Sequence, residues 1–128
     1  MRRGFTNAKL LSLSRSNACF SEVTTISQAE LMQRIEANHA HLILDVRYPE
    51  EYKRGYIPGA INIPHDQINI RFAEIGSHSN RDVVLYCGSG VRVGIAANIL
   101  QSAGFSKLLH LEGDMNSWLR NGSLPVVR

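Results

Sequence analysis

Apolar residues in this chain fall in short runs separated by stretches of helical periodicity, without the two-residue turns that join hairpins. Val23-Thr24-Thr25-Ile26 reads as a short strand. Leu42-Ile43-Leu44-Asp45-Val46 and Val83-Val84-Leu85-Tyr86 read as near-continuous apolar strands, the pattern expected where both faces of a sheet are covered. Residues 60–63 and 107–111 supply two more short strands. Between them, Ser27 with Glu30 three residues on forms a capping box for a helix over 28–38, with Leu31, Met32 and Ile35 on one face. Pro49 opens a short helix through Lys53 that Gly55 ends, and residues 66–74 form a helical stretch before a polar loop over 76–80. A helix over 93–103 closes at Gly104, and the last helix covers 114–121. Strands alternating with helices predict an α/β fold with a mainly parallel sheet and no internal repeat.

Composition narrows the class. The chain has 128 residues, enough for one domain with its own core. Its net charge of +3 is uneven: residues 1–21 carry Arg2, Arg3, Lys9 and Arg15 and no acid, which leaves −1 on the remaining 107 residues. The folded body is therefore close to neutral, and nothing in it points to nucleic acid. No stretch has the continuous apolar length of a membrane span. Residues 1–21 read as a basic, serine-rich leader or tail apart from a domain over 22–128. A presequence of mitochondrial type and a disordered tail or cloning remnant both fit that segment. The compartment expected is cytoplasmic, or exported or organellar if the segment is a targeting signal.

Cys19 and Cys87 make no disulfide framework, and His39, His41, His65, His78 and His110 are scattered. No metal site and no cofactor is expected. The chemistry gathers instead at Cys87, which ends an apolar strand and is followed by Gly88-Ser89-Gly90-Val91-Arg92 and then a helix. The loop N–H groups and the positive end of the helix dipole favour thiolate over thiol at such a place. In open α/β sheets ligands bind beyond the carboxyl ends of strands, and Asp45-Val46-Arg47 ends a strand on the same rim. Cys87 is thus the candidate nucleophile and residues 88–92 the candidate anion cradle. Ser89 either donates to a bound anion or serves the turn. Arg92 either binds the substrate anion or closes the loop through a salt bridge. Asp45 is expected to organise the rim by pairing with a basic or hydroxyl partner, with acid–base work as the alternative. Arg47 is expected to pair with Glu50 or Glu51, or else to face substrate. Trp118 reads as core or as a lid near the rim, and Gly113 as a turn residue.

Four stretches in order resemble the single-domain rhodanese (thiosulfate sulfurtransferase) family. They are Leu44-Asp45-Val46-Arg47 with Glu50, Glu51 and Tyr52; Gly55-Tyr56-Ile57-Pro58-Gly59-Ala60-Ile61-Asn62-Ile63-Pro64; Tyr86-Cys87 to Arg92; and Leu111-Glu112-Gly113 with Trp118. The resemblance implies a rhodanese-like fold, a five-stranded, mainly parallel sheet flanked by helices. It also implies a sulfurtransferase that moves a sulfane sulfur from thiosulfate or a persulfide donor to cyanide or a thiol through a Cys87 persulfide. A thioredoxin-like protein is a further candidate acceptor, and a monomer is the simplest state. Phosphatases and arsenate reductases that resemble this fold carry C-x5-R, whereas Cys87 to Arg92 is C-x4-R, the shorter sulfurtransferase loop. One departure stands out: many active relatives place Arg or Lys directly after the cysteine, and this chain has Gly88 and Ser89. A non-catalytic binding or regulatory module is the alternative reading. A redox role for Cys87 with Cys19 as resolving thiol is a third.

Overall fold

A computed structural model of the chain describes residues 23–128. The basic segment 1–21, and Cys19 with it, lies outside the described residues. Five strands form one sheet: β1 (Thr24–Ile26), β2 (Leu42–Asp45), β3 (Ile61–Asn62), β4 (Val83–Tyr86) and β5 (Leu108–Leu111). Their order is β1-β5-β4-β2-β3. Every neighbouring pair is parallel, so the mainly parallel sheet expected from sequence is parallel throughout. The helices are α1 (Gln28–Glu36), α2 (Pro49–Arg54), α3 (Ile68–Arg71), α4 (Val91–Ser102) and α5 (Asp114–Arg120).

The two central strands, β2 and β4, are buried at every position. Alternation along them sorts side chains into two cores. Leu42, Leu44, Val83, Leu85 and Cys87 face α4, packing with Val93, Ala96, Ala97 and Leu100. Ile43, Val84 and Tyr86 face the other way, toward Leu31 of α1 and Met115 and Trp118 of α5. Cys87, one step past β4, therefore falls on the α4 side by the period-two rule.

Several element ends shift by a residue or two from the sequence reading, and three differences have a clear physical cause. The stretch expected as one helix over 66–74 is 3-10 at His65–Gln67, α-helical only over α3, and 3-10 again at Phe72–His78. Ile68 and Ile75 are its buried anchors, and the backbone leaves helical geometry at Ile75 (φ −116°, ψ 18°), so burial of two separated isoleucines overrides helical continuity. The 3-10 turns also take up part of the expected loop. Helix α4 begins at Val91 rather than 93, because Gly90 at φ 107° supplies a left-handed N-cap that only glycine takes without strain. The capping box at α1 is half formed: Ser27 Oγ accepts the Glu30 N–H at 3.0 Å, while the Glu30 carboxylate turns to Arg34 at 2.9 Å.

Candidate active site

The carboxyl ends of β2, β4 and β5 lie side by side on one rim, and the loops after them build the site. The loop after β4 curls around its own first side chain: the Gly90 N–H donates to Cys87 Sγ at 2.9 Å. Cys87 is 0% exposed, so the sulfur sits inside the loop rather than on it. Ser89 and Val91 are exposed, Val91 at 75%, so neither side chain is packed into the loop.

Arg92, in the first turn of α4, reaches back across the loop to Glu51 of α2. Its two terminal nitrogens donate to the two carboxylate oxygens at 2.7 and 3.0 Å. The same carboxylate accepts the Tyr48 N–H at 3.1 Å, which anchors it at the start of α2. The Arg92 guanidinium also lies over the Tyr48 ring, 5.5 Å from its centre. The bond from Arg92 holds the Glu51 carboxyl below the usual range, partly opposed by burial. Reciprocally, Glu51 raises Arg92 above its ordinary value against a desolvation cost, and the Cys87 sulfur adds to the effect. The salt-bridge partner of Arg92 is thus Glu51 of α2.

Asp45 and Arg47 form a second, buried pair. The Arg47 side chain donates to Asp45 at 2.7, 3.0 and 3.1 Å and to the Gly55 carbonyl at 2.7 Å, and its own N–H meets Asp45 Oδ1 at 2.9 Å. This corrects the sequence expectation that Arg47 pairs with Glu50 or Glu51. Residues two apart at a strand end share a side, so Asp45 is the nearer acid, and Glu51 is committed to Arg92. Asp45 pairs with a basic partner two residues on rather than across the rim, and Arg47 in turn ties the end of β2 to the Gly55 carbonyl. Trp118 is core, fully buried, with its indole N–H donating to the Pro125 carbonyl at 2.9 Å.

The start of α5 supplies groups that sequence reasoning missed. Asp114 Oδ1 accepts the buried Cys87 N–H at 3.0 Å, and His110 Nε2 meets the same carboxylate at 2.9 and 3.0 Å. The Met115 and Asn116 N–H groups donate to the carbonyls of Cys87 and Gly88 at 2.9 and 3.0 Å. An acid after Gly113 looks like ordinary first-turn charge on a helix, and a histidine four residues earlier looks like one of five scattered ones. The only signal was their spacing across the β5–α5 turn. Beside the loop, a cleft of about 300 Å³ is lined by Arg47, Glu51, Arg54, Gly55, Leu119 and Arg128. Among the described residues, no three His, Cys, Asp or Glu side chains gather as a metal would need. None of the described helices is long and apolar enough to cross a membrane.

Comparison with known proteins bears on this arrangement. A family model described as rhodanese-like domain matches residues 27–121. A protein named sulfurtransferase from Allochromatium vinosum is 39% identical over 105 residues, covering 82% of this chain and 95% of its own length. The thiosulfate:glutathione sulfurtransferase of Saccharomyces cerevisiae is 34% identical over 106 residues, 73% of this chain and 76% of that protein. Several other curated relatives are longer, the chain spanning between 26% and 59% of their length. The crystal structure of a rhodanese-related protein from Thermoplasma volcanium aligns with a TM-score of 0.69 at 29% identity, over 81% of this chain and 97% of that one.

Proposed function

The chain belongs to the rhodanese-like domain family, which includes sulfurtransferases, and we propose that it transfers sulfane sulfur through a persulfide on Cys87. The observation that carries the reading is the thiol at the end of β4 enclosed by a C-x4-R loop, with a main-chain N–H aimed at its sulfur. In the first half-reaction the Cys87 thiolate attacks the outer sulfur of thiosulfate. The S–S bond breaks, sulfite leaves with the bonding pair, and Cys87 carries S–S⁻. In the second, an acceptor thiolate attacks that outer sulfur, and Cys87 departs as thiolate. Splitting the transfer in two gives each step a stable leaving group. The loop N–H groups supply fixed donors for the charge that stays on sulfur throughout.

Burial of the sulfur gives Arg92 its part in this scheme. The thiol is covered while Arg92 bridges to Glu51, so an anionic donor reaches Cys87 by drawing the guanidinium off the carboxylate. Closing the loop and receiving the anion are then successive duties of one side chain. Gly88 leaves no neighbouring cation to share the second duty, which makes thiosulfate a weaker donor here than a small persulfide. For the acceptor, a small anionic thiol such as the one named for the yeast relative is favoured. Arg54 and Arg128 line the adjacent cleft, and neither is in an ion pair among the described residues.

Intact-protein mass after brief exposure to thiosulfate, and separately to a small-molecule persulfide, tests the proposal. One added sulfur atom, lost on adding thiol or cyanide and absent in Cys87→Ser, is the expected result. Turnover retained in Cys87→Ser would overturn it, as would no uptake from either donor.

A further inference from the structure

We infer that Asp114, anchored by His110, is a positioning residue for Cys87: its carboxylate fixes the cysteine main chain so that the Gly90 N–H stays aimed at the sulfur. The inference rests on the proposed role of Cys87. Asp114 is 2% exposed, and its backbone is at φ 54°, a left-handed conformation that side-chain-bearing residues rarely adopt. Gly113 before it is also left-handed, at φ 76°. Together they turn the carboxylate under the β4–α4 loop. There it accepts the Cys87 N–H at 3.0 Å, and its other oxygen lies 2.9 Å from where a Cβ on Gly90 would stand. The carboxylate thus bonds Cys87, whose sulfur accepts, and stands beside Gly90, whose N–H donates.

His110 sits on β5 opposite Leu85 of β4, and its ring meets the carboxylate through Nε2 at 2.9 Å. With the Met115 N–H on the Cys87 carbonyl, the polar main-chain groups of Cys87 are held from both sides by the β5–α5 turn. Asp114 is the side-chain half of that grip. Its removal strands a buried donor and frees Cys87 to shift against Gly90. Displacements of about 1 Å near a reacting atom cost up to roughly a hundredfold in rate.

Two variants separate positioning from simple structure. Asp114→Gly keeps the left-handed backbone and removes the acceptor. Asp114→Asn keeps an oxygen for the Cys87 N–H. In Asp114→Gly, alkylation of sulfur-free Cys87 by iodoacetamide and kcat with thiosulfate are each expected to fall about tenfold or more, with KM within about twofold. The Cys87 amide proton, labelled with ¹⁵N-cysteine, is expected to move upfield. In Asp114→Asn the rates and the resonance are expected to return close to the parent protein. If Asp114→Gly does not fold, His110→Ala, which leaves the carboxylate unanchored, is expected to slow alkylation while the protein stays folded by far-ultraviolet circular dichroism. Parent-like rates in Asp114→Gly, or in His110→Ala where that variant stands in for it, would overturn the inference. So would Asp114→Asn as slow as Asp114→Gly. If the parent protein takes up no sulfur, the persulfide proposal fails by itself, and alkylation still decides the positioning role.

Discussion

Arg47 shows how much of this site is held by one side chain. It is 6% exposed and its partner Asp45 is 0% exposed, so neither charge has water to fall back on. Burial works against the Arg47 charge, yet the bonds from Asp45 outweigh it and keep the guanidinium above its ordinary value. The guanidinium also stands 5.6 Å over the Tyr86 ring, whose hydroxyl burial pushes far above the usual tyrosine range. Tyr86 therefore stays neutral and accepts the Ile57 N–H at 3.2 Å. Arg47→Met is expected to lower unfolding free energy by about 3–5 kcal/mol, because it leaves Asp45 charged, buried and unpaired. Urea denaturation checks it, and a loss under about 1 kcal/mol would mean the pair is solvated in solution. The sequence showed Asp45 and Arg47 at the rim but not joined. Charge alone made Glu50 and Glu51 equally good partners, and only the direction of β2 at its end decides among them. Cys87 and Arg92 were legible because five residues fix their separation. Asp114 and Glu51 were not, being 27 and 41 residues from the groups they hold.

Among the elements, β2 and β4 were the most legible, since burial on both faces leaves a continuous apolar signature. Residues 65–78 were the least, because their short turns are set by where Ile68 and Ile75 find the core rather than by a local period. Helices α2 and α4 meet through Glu51 and Arg92, and that contact has a pH signature. The Glu51 carboxyl is held low in the folded state, first by the Arg92 bond. The contribution is therefore full above the unfolded carboxylate range, near about 4.3, and is lost as pH falls through the lower folded value. Glu51→Gln is expected to melt a few degrees below the parent at pH 7, a difference that closes on acidification toward pH 3. Its KM for thiosulfate at pH 7 is expected to be lower than the parent's, because Arg92 no longer has a carboxylate to leave. A higher KM would show that the bridge shapes the site instead of competing with the donor.

At the scale of the molecule, the sheet joins distant parts of the chain. Strand β1 has β5 as its neighbour, and β5 lies between β1 and β4, so the first and last strands lie side by side at one edge of the sheet. Trp118, the single tryptophan, is buried on α5 against that assembly. Its fluorescence and far-ultraviolet circular dichroism are expected to report one coincident urea transition. Fluorescence changing first would show α5 detaching as a separate unit. The grip of α5 on Cys87 has a further consequence for biosynthesis. A ribosome delivers the thiol before it delivers Asp114, Met115 and Asn116. A nascent chain stopped short of α5 holds every residue of the C-x4-R loop but not the contacts that fix it. The arranged site therefore forms only after translation has passed the helix that holds it, and burial of the thiol waits on the same residues.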